Sequence, residues 1–198
     1  GAGTYHVELT VHNDDSGAAQ TIDVTLTVNA PGPEPVYEFT FDTDPGWSTE
    51  GQWAFGRPTG GGSGNGDPTS GFTGNNVYGY NLSGDYGSSI PAYYLTTPAL
   101  DFSSAEGVTL MFQRWLGVES ATYDRASIGV STDGSTWHTL WEHSGTTVDD
   151  GAWQEVSLDI SPYADGQDTV YVRWGMGPPD SMIQRNVPGI GPYVLPAY

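Results

Sequence analysis

YDRASIGVSTDGSTWHTLWE, the stretch from Tyr123 to Glu142, reads as two alternating strands pivoting on an Asp-Gly turn. Ile128 and Val130 share one face of the first arm, while Trp137, Thr139 and Trp141 are expected to share one face of the second. Thr132-Asp133-Gly134-Ser135 places between the arms a glycine that tolerates positive φ. Such a hairpin belongs to an all-β fold and fixes architecture better than chemistry.

The chain on either side repeats the pattern. Further strands are expected at Val36–Phe41, Gln52–Phe55, Asn76–Asn81, Tyr93–Thr97, Val108–Leu116, Ala152–Ile160 and Thr169–Trp174, with the hairpin arms at Arg125–Ser131 and Thr136–Glu142. No helix-period segment of useful length interrupts them. The expected architecture is a two-sheet antiparallel β-sandwich of jelly-roll type over residues 36–179. From Gly56 to Asn75 the chain carries eight glycines and two prolines, a surface loop that needs local contacts or a metal to be ordered.

Residues 1–29 form a separate hairpin pattern. Tyr5, Val7, Leu9 and Val11 alternate, Asn13 to Gly17 turns the chain, and Ile22, Val24, Leu26 and Val28 alternate back. Two strands do not make a stable domain, so this segment is read as the last hairpin of a truncated immunoglobulin-like domain. Residues 30–35, Ala-Pro-Gly-Pro-Glu-Pro, form a stiff linker, and residues 180–198 an irregular tail without alternation.

Composition narrows the function classes. With 24 acids, 5 arginines and no lysine in 198 residues, the net charge is −19, and a nucleic-acid partner is excluded because its phosphates would be repelled. The absence of Cys removes disulfides, thiolate zinc sites and cysteine nucleophiles together. No apolar run approaches membrane-spanning length, so no membrane partner is expected. The start at Gly1, without a leader, reads as a processed piece of a longer secreted, extracellular protein.

Four segments carry a family resemblance: Phe39-Thr-Phe-Asp-Thr-Asp-Pro-Gly-Trp47, Gln52-Trp-Ala-Phe-Gly56, Asn81 to Asp101 with its Gly84-Asp85-Tyr86 and Pro98-Ala-Leu-Asp101, and Val130 to Trp137. In order and spacing they resemble the jelly-roll, MAM-like accessory domains of secreted bacterial multidomain hydrolases, such as subtilisin-like or immune-inhibitor-A-like proteases. The leading hairpin likewise resembles the end of the immunoglobulin-like repeats that precede such domains. The resemblance implies a non-catalytic module that binds polysaccharide or an extracellular protein surface, or spaces other domains of the parent protein. One departure is the closing strand: Met176-Gly-Pro-Pro-Asp180 replaces the Gly-Trp-Asn-Ile-Asp-Asp type of ending.

Chemistry-bearing residues are sparse. His138 and His143 flank Trp141 without a nucleophile motif, and no Gly-x-Ser-x-Gly or His-Glu-x-x-His occurs. Glu119, Asp124, Glu142 and Glu155 are strand-associated acids, and a pair of them would define the alternative, a carbohydrate-active enzyme (glycoside hydrolase or lyase) on a jelly-roll. Asp42-Thr-Asp44-Pro-Gly46 sets two carboxylates two residues apart, open both to a structural Ca²⁺ and to a simple Asx turn. Asp85 and Asp67 are further candidate ligands. Tyr78, Tyr80, Tyr86, Trp115 and Trp141, with Tyr93 beside them, are the candidate sugar-stacking platform, while Trp53, Trp137, Trp153 and Trp174 are assigned to the core.

Overall fold

The computed structural model describes residues 3–12, 19–28, 35–62, 64–87 and 90–178. The chain divides into two compact units, Gly1–Glu38 and Phe39–Tyr198. In the first, β1 (Gly3–His12) and β2 (Ala19–Val28) pair antiparallel, with Tyr5 opposite Leu26, Val7 opposite Val24 and Leu9 opposite Ile22. This register sets the two alternating patterns in phase. The turn at 13–17, the linker apart from Pro35, and the tail at 180–198 lie outside the described residues.

The second unit is all-β. Its strands are β3 (Ser48–Thr49), β4 (Trp53–Gly56), β5 (Val77–Tyr80), β6 (Tyr93–Thr96), β7 (Thr109–Arg114), β8 (Gly117–Val118), β9 (Ala126–Ser131), β10 (His138–Glu142), β11 (Val148–Asp149), β12 (Gln154–Asp159) and β13 (Tyr171–Met176). One four-residue helix, α1 (Ser161–Ala164), precedes β13. Among the described residues no helix is long and apolar enough to cross a membrane.

Five strands form an antiparallel sheet in the order β10-β9-β13-β6-β3. The remaining strands pair as β12-β7, β4-β5 and β11-β8. Leu110 and Leu158 of the β7–β12 ladder pack against a core of Leu100, Phe102, Val130, Ile160, Ala164 and Val170, which makes the unit a β-sandwich. Trp47 joins the layers: its ring stacks 5.2 Å from Tyr78 of β5 and 5.4 Å from Trp174 of β13, and Phe112 of β7 meets Trp174 edge-on at 5.6 Å. A second apolar cluster, Val118, Ala126 and Met176, fills the other end.

The Tyr123–Glu142 hairpin forms with one correction. Asp133 Oδ1 accepts the Ser135 and Thr136 N–H groups at 2.8 and 2.6 Å, and Gly134 turns the chain at φ 71°. A bulge then interrupts β10: Thr139 lies opposite Gly129 and Trp141 opposite Ile128, leaving Leu140 as the extra residue. The bulge flips the parity, so Thr139 and Trp141 do not share a face. Trp141 turns inward to the second cluster, and Trp137 lies on the outer side beside Arg173.

Eight of the nine expected strands form, with shifted ends. The strand expected at Val36–Phe41 does not. Phe41 sits at φ 58°, which breaks an extended run, and the Phe39 and Phe41 rings instead pack edge-on against Trp47 at 5.1 and 5.4 Å. The two-residue strands β3, β8 and β11 are too short for alternation to mark them.

Candidate binding faces

The outer side of the β7–β12 ladder gathers exposed apolar groups. Phe112 and Val156 are paired and turn inward, so Met111, opposite Ser157, and Gln113, opposite Glu155, stand outward. Trp115 and Trp153 continue that outward parity past the end of the ladder and meet edge-on at 5.7 Å. Phe72, from the glycine loop, adds a third ring 6.5 Å from Trp153. Phe72 is 59 % exposed, and Met111, further along the same outward parity, 61 %.

Local hydrogen bonds position the glycine loop. Trp115 Nε1 donates to Gly66 O at 3.1 Å, Asn65 Nδ2 to Asp149 O at 2.9 Å and Arg57 Nε to Thr69 O at 2.9 Å. The expectation that the loop needs contacts or a metal is thus met by contacts among its described residues.

The five-stranded sheet has its own outer face. Val172, Trp174 and Met176 turn inward, so Tyr171, Arg173 and Gly175 face out. The Arg173 guanidinium carbon lies 3.8 Å from the Tyr94 ring centroid and 4.0 Å from that of Trp137. Sequence reasoning placed Trp137 in the core. The signal for its true position is the opposite parity of Arg173 and Trp174 on the neighbouring strand.

The five candidate stacking residues do not form one platform. Tyr78 is locked between Trp47, Phe41 and Phe55. Tyr80, Tyr86 and Trp141 pack around the Val118, Ala126 and Met176 cluster, with the Arg114 guanidinium 5.9 Å from the Trp141 ring. Tyr93 stacks on Tyr80 at 6.3 Å. Trp115 belongs to the outward face just described, and Trp153, assigned to the core from sequence, joins it there.

Carboxylates serve as turn staples. Asp44 Oδ1 accepts the Tyr78 hydroxyl at 2.5 Å and the Gly46 N–H at 2.8 Å, and these bonds hold its pKa below the ordinary carboxylate value. Burial, followed by the bond to Asp44, pushes Tyr78 up to about 12. Asp101, Asp133 and Asp159 are lowered in the same way, chiefly by N–H and hydroxyl groups two or three residues onward. Asp42 accepts from Thr40 Oγ1 at 3.0 Å, and the Asp85 carbonyl accepts from Asn81 Nδ2 at 2.5 Å.

Among the described residues no three or more His, Asp or Glu side chains gather closely enough to hold a metal, so Asp42, Asp44 and Asp85 do not converge. Both hydrogen bonds to Asp44 fall on its Oδ1, the acceptor pattern of an Asx turn. The residues fit the Asx turn.

The acids and histidines singled out for catalysis have other partners. Asp124 is buried and accepts the Tyr86 hydroxyl at 3.0 Å, an arrangement in which burial, with the charges of Asp124 and Glu119, raises Tyr86 to about 12. Glu142 pairs with Arg125 at 3.2 Å, and Glu155 stands across from Gln113. His138 stacks on Tyr163 at 4.6 Å, whereas buried His143 has Nε2 2.9 Å from Glu119 O.

Fold and surface together define a β-sandwich with aromatic clusters on its outer faces. No protein-family model matches the chain. It is 27 % identical over 156 residues to Bacillopeptidase F of Bacillus subtilis (strain 168), a match that covers 76 % of this chain and 10 % of that protein. It is also similar to a chain solved in a study of the promiscuous specificity of carbohydrate-binding modules from the β-sandwich superfamily, with 16 % identity and a TM-score of 0.39, over 89 % of this chain and 68 % of the other.

Proposed function

We propose that this chain is a non-catalytic accessory module of a larger secreted hydrolase and that it binds polysaccharide through the outer face of the β7–β12 ladder. The observation that carries this reading is the convergence of Phe72, Trp115 and Trp153, with the cross-strand neighbours Gln113 and Glu155, and then Met111, further along the same outward parity. Aromatic rings offer flat apolar area to the C–H faces of a pyranose, and neighbouring amide and carboxylate groups serve its hydroxyls. Similarity to a tenth of a peptidase supports a module within a longer protein. Of the acids weighed for catalysis, Asp124 accepts the Tyr86 hydroxyl and Glu142 pairs with Arg125, so each already has a partner within the fold.

The test is a glycan array and polysaccharide pull-down, with and without EDTA, comparing the native chain with Phe72→Ala and Trp153→Ala. Binding is expected to weaken about tenfold in each variant, equivalent to about 1.4 kcal/mol. Absence of binding to any polysaccharide leaves a spacer or protein-binding role. Release of reducing ends establishes instead the enzyme built on paired carboxylates.

A further inference from the structure

Among the described residues, Arg173 alone of the arginines has no hydrogen-bonded or ion-paired oxygen. Arg57 donates to Thr69 O, Arg114 to Asp150 and Arg125 to Glu142 and His143 O. Arg173 is held by rings on both sides, Tyr94 at 3.8 Å and Trp137 at 4.0 Å. One glycine, Gly175, is required by this clamp, whereas a Cβ at Gly129 would meet only ordinary contacts. A Cβ at Gly129 would lie 3.5 Å from Trp137 Cε3, and one at Gly175 would lie 2.9 Å from Tyr94 Cε1 and 2.5 Å from Ser127 Oγ.

With both faces of the guanidinium covered, its free directions lie in its own plane, where its N–H groups point. A planar fork of fixed orientation matches a carboxylate by two parallel hydrogen bonds. The nearby acid Glu50 does not fill this role: its Oε2 accepts the Tyr94 N–H at 3.1 Å, and it makes no ion pair with Arg173 among the described residues. Burial disfavours the charged arginine here, while the charges of Tyr94 and Glu50 act in the opposite sense, so the Glu50 carboxylate supports the arginine at a distance without occupying its fork.

We propose that the outer face of the five-stranded sheet is a second binding site, in which Arg173, clamped by Tyr94 and Trp137, takes the carboxylate of a uronic-acid unit. The choice of a sugar acid rests on the polysaccharide-binding reading above. A net charge of −19 repels densely charged polymers, so the fitting ligand carries isolated uronates on a mainly neutral glycan. Glu50 and the Ser127 and Thr96 hydroxyls on the same stretch of sheet are placed for the neighbouring sugar hydroxyls.

The experiment is an NMR titration of the whole chain with methyl glucuronide, methyl glucoside and acetate, following the Arg173 Nε–H and Trp137 Nε1–H signals. Saturable shifts are expected with the glucuronide, at least tenfold weaker response with the other two, and loss of the response in Arg173→Gln. Arg173→Lys, which keeps the charge and loses the fork, is expected to bind at least fivefold more weakly than the native chain. Equal response to glucoside, equal response to acetate, no saturable shift, or a response that survives in folded Arg173→Gln overturns the proposal. Neutral-glycan binding that depends on Phe72 is read separately: if it persists while the glucuronide response is absent, only this second site falls. If glucuronide binds and neutral glycans do not, the aromatic-face reading falls instead.

Discussion

Val130→Ala tests the inward and outward parity on which both binding faces depend. Val130 is 0 % exposed, lies in the middle of β9, and packs with Leu100, Phe102, Ile160, Ala164 and Val170. Losing two methyl-sized groups forfeits about 1.6 kcal/mol of transfer free energy at about 0.8 kcal/mol each. β9 is flanked on both sides by β10 and β13, so the site has little room to collapse, and the cavity raises the expected loss to about 2–3 kcal/mol. For a chain of this size that is a fall in Tm of roughly 4–12 °C. Thr139→Ala, on the outer side opposite Gly129, is expected to change stability by less than about 0.5 kcal/mol. Urea denaturation followed by circular dichroism measures both. A loss at Val130 below about 1 kcal/mol, or equal losses at the two positions, would mean that β9 is in the other register and that Gly129 and Ser131 face the core.

Other outcomes follow from the same contacts. Asp133 has a folded pKa below its unfolded one, so its contribution is present above about pH 4 and is lost as acid protonates it; Asp133→Asn is expected to flatten that acid limb in pH-dependent melts. Tyr78 and Tyr86 have pKa values raised to about 12, so their stabilisation is full below about pH 10 and is lost as pH climbs toward 12; absorbance titration of phenolate should show two late tyrosines that titrate normally once the chain is unfolded in urea. Because Asp44 is committed to Tyr78 and Gly46, excess Ca²⁺ is expected to leave Tm unchanged; stabilisation near 2.7 kcal/mol at a hundredfold excess over Kd would restore the calcium expectation.

The sandwich was legible because alternation over six or so residues is a strong signal, as in Ala126–Ser131 and Gln154–Asp159. What alternation cannot carry is a change of phase. The bulge at Leu140 reverses the faces of Trp137 and Trp141 relative to a straight strand, so a core tryptophan and a candidate surface tryptophan exchanged places. Phe41 shows the complementary failure: Val36–Phe41 has strand composition, but a positive φ and three aromatic neighbours give those residues a better arrangement than a ladder. Trp115 was found because its neighbours in sequence are strand residues. Phe72 was not, because it reaches the same face from a loop whose path depends on Asn65, Gly66 and Thr69.

The acid-rich composition takes on a different meaning in the folded chain. Asp44, Asp101, Asp133 and Asp159 each accept hydrogen bonds from groups close by in sequence, and Asp165 receives the Gly107 and Val108 N–H groups at 2.8 and 3.0 Å. Short carboxylates are thus the means by which a chain without disulfides fixes its many turns, since each one satisfies backbone donors that a tight bend leaves unpaired. The three arginines of the second unit that hold carboxylates or carbonyls act alongside them. Arg173 stands apart because its strand partners present a glycine and a threonine rather than an acid, and that unfilled fork, more than the surplus of negative charge, is where an outside ligand has a place.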